Sequence, residues 1–281
     1  MKMKMKIRNF KLNRAVALIL AAALSLTLCS CGNKDQKVRD AVDDREYIGL
    51  ISAMDNEIDM LIDEADIDHT DTIGGVEYHV GTLCGKKVVI VKAGIGMVLS
   101  ASVTTTLLNE HNISKVIFTG IAGGTGDKTK VLDEVIGDRY VEHDYGTITG
   151  DGFRWTYGNT GEEVGDKGYF YSDPELADLA YESAVSVVGK DRVHRGTIAS
   201  GNQFIVSEEY SDRLEKDFEA IACEMEGAAV AEVCSQYDTP FVVIRAMSDK
   251  ADGKAHESFD NFGDDAADNS SRIVMEMLKN M

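Results

Sequence analysis

Proline occurs only twice in this chain, at Pro174 and Pro240, so the composition gives little sign of an interdomain linker, and one domain is the working count. Basic residues are also scarce, with 29 Lys and Arg against 48 Asp and Glu. A surface that grips nucleic acid or anionic lipid needs clustered cations, so neither is an expected partner. The six histidines, His69, His79, His111, His143, His194 and His256, form no pair at i, i+3 or i+4, and no CxxC occurs; no metal site is expected. No Gly-x-Ser-x-Gly elbow is present to support a serine hydrolase. The run Gly120 to Thr129 fails as a phosphate-binding P-loop because Asp127 intrudes between Gly126 and Lys128. Gly94-Ile95-Gly96 lacks the third glycine of a dinucleotide fingerprint.

The one long apolar run, Ala15 to Leu28, is too short for a comfortable membrane span, which needs roughly 20 residues. It follows Lys2, Lys4, Lys6, Arg8, Lys11 and Arg14, with no acid among them, as in a secretory leader. The run ends in Leu28-Cys29-Ser30-Cys31-Gly32, which resembles a bacterial lipoprotein signal. Residues 1–30 are therefore expected to be a lipoprotein signal peptide, with Cys31 acylated as the first mature residue; a plain signal peptide is the alternative. The protein would then be exported and anchored to the bacterial cell membrane, touching it through the lipid alone. Residues 31–46 are polar and aperiodic, as suits a tether, and the folded domain is expected over 47–281. Without the leader the charge is 23 basic against 48 acidic residues. Cys84, Cys223 and Cys234 remain in the body, an odd number in apolar or strand-like stretches, and they read as buried thiols.

Hydrophobic periodicity over the body alternates strands with helices. Strands are expected at 47–53, at 76–92 as two strands split by Cys84-Gly85-Lys86, and at 115–119, 131–141, 193–200 and 241–247. Helices are expected at 57–65, 96–111, 174–188 capped by Asp173, 207–218, 226–237 and 266–278. The fold class is α/β with a largely buried sheet. Carboxylates are the remaining candidates for chemistry. Glu57, Glu226 and Asp249 sit where strand-like and helical segments meet, which is where open α/β sheets place ligands, although any one alone is more simply a surface charge or a cap.

Six motifs carry a more specific resemblance: Ala53-Met54-Asp55-Asn56-Glu57, Ala93-Gly94-Ile95-Gly96, Thr119 to Gly124, Ser200 to Ile205, Cys223 to Ala229 and Arg245 to Asp249. In order and spacing the chain from Tyr47 onward resembles the methylthioadenosine/S-adenosylhomocysteine nucleosidases, a branch of the nucleoside phosphorylase superfamily. EMEGAA followed by RAMSD is the strong part of that likeness. The resemblance implies a single-domain three-layer α/β/α sandwich with a central mixed sheet, no cofactor, and a homodimer in which a second subunit closes the pocket. It also implies that Glu57 activates the attacking water and that Asp249 serves the purine N7. Met225 and Glu226 would hold the ribose, Phe204 would stack on the base, and the backbone of Ile205 would read the base edge. Met54, Ile95 and Phe259 would line the 5′-thio pocket, with Ala122, Gly123 and Ser248 completing the substrate contacts and Arg245 orienting the acids. The family often has serine where Ile121 stands, beside the ribose. The stretch from Tyr145 to Tyr169 matches it poorly and is expected to reach the neighbouring subunit's pocket.

The implied reaction suits these residue types. Breaking a ribosyl C–N bond leaves positive charge on the sugar and negative charge on the base, so acids are wanted on both sides. An ordinary Asp, with a pKa of about 3.9, holds almost no proton at neutral pH. Burial must raise Asp249, or solvent must supply the proton through it. A phosphorylase, the nearest alternative, would want Arg or Lys by the ribose, whereas the first loop offers Asp55, Asn56 and Glu57. A nucleoside-binding surface lipoprotein without turnover is the other alternative, and it has no need of a water-activating acid.

Overall fold

The computed structural model describes residues 47–156 and 168–281; the leader, Cys31 and the tether lie outside them. Strands β1 (Tyr47–Ser52), β2 (Asp66–Ile73), β3 (Val76–Leu83), β4 (Lys86–Lys92), β5 (Ile113–Gly124), β6 (Glu134–Glu142), β9 (Tyr169–Tyr171), β10 (Val193–Ser200), β11 (Ala220–Glu224) and β12 (Phe241–Asp249) form one sheet. Strands β7 (Gly146–Thr149) and β8 (Gly152–Trp155) make a separate hairpin. The helices are α1 (Asp55–Asp63), α2 (Met97–Glu110), α3 (Pro174–Val188), α4 (Glu208–Phe218), α5 (Gly227–Gln236) and α6 (Ala255–Asn280).

The sheet is mixed, in the order β11-β10-β6-β12-β5-β1-β4-β3-β2. Strands β1, β5 and β12 run parallel side by side, while β12 meets β6 antiparallel. Cys223 and Ala222 of β11 also pair with Gly123 and Gly124 of β5, closing β5, β12, β6, β10 and β11 into a ring. Two apolar layers sandwich the sheet. On one face Met97, Val103 and Leu107 of α2 and Ala228, Val230 and Cys234 of α5 pack against Ile51, Phe118 and Val243. On the other, Ile58 and Leu61 of α1, Ala177 and Ala180 of α3 and Ile273 and Val274 of α6 pack against Leu50, Ile117 and Ile244. Strands buried on both faces read as continuous apolar runs, which is why β1 and β12 were legible.

The structure departs from the sequence expectations in several places, among them the unanticipated short strands β7, β8 and β9. The last helix starts at Ala255 rather than residue 266, because its first turns are acidic and rest on the pocket wall through Phe259 rather than on a deep core. Strand β2, DIDHTDTI, is a polar edge strand with no apolar alternation to reveal it. Strand β11 is five residues, all buried, inserted between two helices. Cys84 is half-buried in the β3–β4 turn at φ 49°, so among the described residues only Cys223 and Cys234 are buried thiols.

Candidate active site

The C-terminal ends of β1, β5, β11 and β12 converge on a cavity of about 420 Å³. Its walls include Met54 and Glu57 after β1, Ile121, Ala122 and Gly123 in β5, Glu224 ending β11 with Met225 and Glu226 after it, and Ser248 and Asp249 ending β12. Ile95, Phe204, His256 and Phe259 complete the rim. The structure thus brings together Met54, Glu57, Ile95, Ala122, Gly123, Phe204, Met225, Glu226, Ser248, Asp249 and Phe259. Arg245 lies beneath this wall, fully buried, and the Ile205 side chain packs with the cluster around Leu214 and Phe218 instead of lining the cavity.

Glu57 sits in the first turn of α1, where its carboxylate satisfies otherwise unpaired backbone donors. Oε2 accepts the N–H groups of Ala53 and Met54, both at 2.8 Å, and Oε1 accepts that of Ile121 at 2.9 Å. Burial raises its pKa, while the nearby Arg245 charge and the three N–H donors pull the other way. Gly120 makes this approach possible: a Cβ there would lie 2.5 Å from Glu57 Oε1 and would also overlap Arg245 Nη1. Glycine at this position lets acid and guanidinium flank the strand.

Arg245 organises the remaining carboxylates. Its Nη2 meets Glu224 at 2.5 Å and Glu226 at 3.6 Å, and its guanidinium lies over the Phe118 ring at 4.1 Å. Burial works against the charged guanidinium, but Glu224, Glu226 and Glu57 outweigh it and hold the pKa above the ordinary value. Glu226 Oε1 accepts the Gly96 N–H at 2.8 Å. Its pKa is pushed up to about 8, first by burial and then by Glu224.

Asp249 is 1% exposed. Its Oδ1 accepts the Ala251 N–H at 2.7 Å and its Oδ2 the Ser248 hydroxyl at 2.8 Å. Burial raises its pKa despite these bonds, the direction a general acid needs. Phe204, 41% exposed, is flanked by His256 at 4.9 Å and by Phe259 edge-on at 6.0 Å between ring centres. Ile121 turns its side chain into an apolar cluster with Met54, Leu132 and Phe259.

Sequence reasoning did not single out Cys223, Glu224 or His256. The first two lie inside the quoted CEMEGAA motif, where Glu224 could have been found as the only other acid; a solitary His256 on an acidic helix gives no signal. Among the described residues no group of three His, Cys, Asp or Glu is placed to hold a metal ion.

Residues 47–279 match the family model of the phosphorylase superfamily. The chain is 37% identical over 235 residues to the 5′-methylthioadenosine/S-adenosylhomocysteine nucleosidase of Bacillus cereus (strain G9842), across 83% of this chain and 99% of that protein. This chain belongs to the methylthioadenosine/S-adenosylhomocysteine nucleosidase family. Among solved structures it is similar to the Neisseria meningitidis nucleosidase in complex with methylthio-immucillin-A, at 38% identity and TM-score 0.75, covering 84% of this chain and 100% of that one. It is also similar to the futalosine hydrolase of Helicobacter pylori strain 26695, at 30% identity and TM-score 0.74, covering 84% and 98%. As a family member the chain is an N-ribosyl hydrolase with the α/β/α architecture of these nucleosidases.

Proposed function

We infer that this chain hydrolyses the N-ribosidic bond of 5′-methylthioadenosine, S-adenosylhomocysteine and related 5′-modified adenosines, releasing adenine. The observation that carries the reading is the placement of Glu57, Glu226 and Asp249 around one aromatic-rimmed cavity. Asp249, buried and raised in pKa, is the acid for N7 of the departing base. Glu57 takes the proton of the attacking water, and Glu226 receives the ribose hydroxyls beside Met225. Phe204 stacks on the base, the Ile205 backbone reads its edge, and Met54, Ile95 and Phe259 enclose the 5′-thio group, with Ala122, Gly123 and Ser248 against the nucleoside. Arg245 acts from below by orienting the acids.

No Lys or Arg side chain lines the cavity among the described residues, so phosphate has no evident seat there and water is the better nucleophile. A non-catalytic binder would gain nothing from burying three acids at an energetic cost.

Two further parts of the reading concern assembly and location. A homodimer is supported by the exposed apolar side chains of Ile95, Val98 and Leu99 at the cavity rim and the start of α2, a patch suited to contact with a second subunit. Export as a lipoprotein acylated at Cys31 is supported by the Leu28-Cys29-Ser30-Cys31 junction after a basic, then apolar, leader.

The test is product analysis of methylthioadenosine turnover with and without inorganic phosphate. Adenine and free methylthioribose are expected at a rate indifferent to phosphate. A sugar 1-phosphate as the main product would reassign the chain to phosphorolysis, and no release of adenine would overturn the reading.

A further inference from the structure

The base-side loop, Gly201 to Val206, joins β10 to α4 without regular structure, and Asn202, Gln203 and Phe204 in it are exposed. A ring that must stack on a base needs better anchorage than an irregular loop provides by itself. On one side Phe204 rests on His256 and Phe259 of α6. On the other, Asn202 is held twice: its N–H donates to Asp144 Oδ2 at 2.9 Å, and its Oδ1 accepts the Met97 N–H at 3.0 Å.

The second of these bonds lands at an informative place. Helix α2 begins after Gly96, which has φ +102° and no side chain to cap the first turn. The first N–H groups of a helix have no partner within it. Here they are served from two distant parts of the site. Glu226 accepts from Gly96 at 2.8 Å, and Asn202 accepts from Met97, the very next residue. A Cβ on Gly96 would stand 3.2 Å from Asn202 Oδ1, so glycine leaves room for this cap as well as supplying the positive φ. Ile95, one residue earlier, is itself on the cavity rim.

We propose that Asn202 is a positioning residue for the nucleosidase reaction, fixing the Phe204 loop to the helix start that anchors Glu226, so that base and ribose are held in register. This rests on the functional reading above. Two successive backbone N–H groups of one rigid helix set the distance between the ring that stacks on the base and the carboxylate that receives the sugar. Misplacing either relative to the other spoils the geometry in which the glycosidic bond breaks.

The test compares Asn202→Ala, Asn202→Asp, Phe204→Ala and the Asn202→Ala/Phe204→Ala double variant. KM and kcat are measured on methylthioadenosine, and adenine binding is measured by calorimetry. Losing one such hydrogen bond should raise KM and the adenine Kd together by about three- to tenfold. Asn202→Asp keeps an acceptor for the Met97 N–H and should restore both to within about twofold of wild type. In the Phe204→Ala background the Asn202→Ala change should add nothing, because the ring through which it acts is gone. A merely structural role would lower kcat through the active fraction and leave KM and the adenine Kd unmoved. That result, a failure of Asp to restore, or losses that multiply in the double variant would overturn the proposal. A wild-type chain that binds adenine but releases none would refute the functional reading instead, and the adenine titrations would still decide the role of Asn202.

Discussion

Glu224 holds the Arg245 guanidinium at 2.5 Å while the same carboxylate accepts the Gly227 N–H at 2.7 Å. One acid thereby ties the middle of β12 to the start of α5, and the turn from β11 into α5 carries Met225 and Glu226. Both members of the pair are buried, so removing Glu224 leaves Arg245 with only the more distant Glu226 and Glu57 as counter-charges, at a cost of about 3 kcal/mol. Glu224→Gln should lose roughly that much in denaturant unfolding, and kcat should fall as Glu226 loses its support. Combining it with Arg245→Met should cost less than the sum of the two single changes, which a double-mutant cycle measures. Strict additivity would mean that the contact carries no coupling.

Glu134 makes a separate prediction away from the site. It is fully buried in β6, and neither carboxylate oxygen has a hydrogen-bond partner among the described residues. Burial raises its pKa well above 4.5, with Arg192 lowering it and Asp133 raising it. The folded state therefore keeps a proton that the unfolded chain releases as pH rises past the ordinary glutamate range. Its contribution to stability is complete below that range and is lost as pH climbs toward the folded pKa, at up to about 1.4 kcal/mol per pH unit. Glu134→Gln should flatten this part of the slope and raise Tm at pH 8 above wild type. Thermal melts from pH 5 to 8 with unchanged slope would show that Glu134 is not proton-linked to folding.

The sequence made the centre of the fold readable and left its edges obscure, for a physical reason. Strands such as β12, whose first residues FVVI are buried on both faces, open as unbroken apolar runs, whereas β2 carries Asp66, Asp68 and Asp71 on an edge that water solvates. At the site, Glu57 and Asp249 were legible because they end apolar runs in recognisable motifs. His256 was not, because its role depends on where the first turns of α6 lie, and those turns carry no periodicity. Glu224 was visible as a letter but not as the partner of Arg245, since the contact spans 21 residues and only the fold brings the end of β11 to the middle of β12.

The N-terminal reading predicts a location. If Cys31 is acylated, the full-length protein should fractionate with membranes and carry the mass of its acyl chains, while a chain starting at Tyr47 should be soluble. Cys31→Ala should release the protein from the membrane fraction. Mass spectrometry and detergent partitioning check both, and membrane association with unchanged mass in Cys31→Ala would remove the lipoprotein reading.

The sharpest test of the site is at Asp249, where a single atom exchange separates acid catalysis from hydrogen bonding. The Asp249 carboxyl is held by the Ala251 N–H and the Ser248 hydroxyl, and it lies so close to Gly123 that a Cβ there would be 2.8 Å from Oδ1. Asparagine fits the same space: its oxygen can keep the Ala251 N–H and its amide can donate to Ser248 Oγ. What it cannot do is transfer a proton to N7 as the C–N bond breaks. Asp249→Asn should therefore fold normally by circular dichroism and bind adenine nearly as well as wild type, because Phe204 and the backbone contacts remain. Its kcat on methylthioadenosine should fall on the order of 10²-fold or more, the usual weight of general-acid catalysis. Because burial raises the Asp249 pKa, wild-type kcat should stay high above the ordinary aspartate range and fall on the alkaline side as this proton is lost. That alkaline limb should be missing from the residual activity of Asp249→Asn. A folded Asp249→Asn enzyme with near-wild-type kcat and an unaltered alkaline limb would place the acid elsewhere.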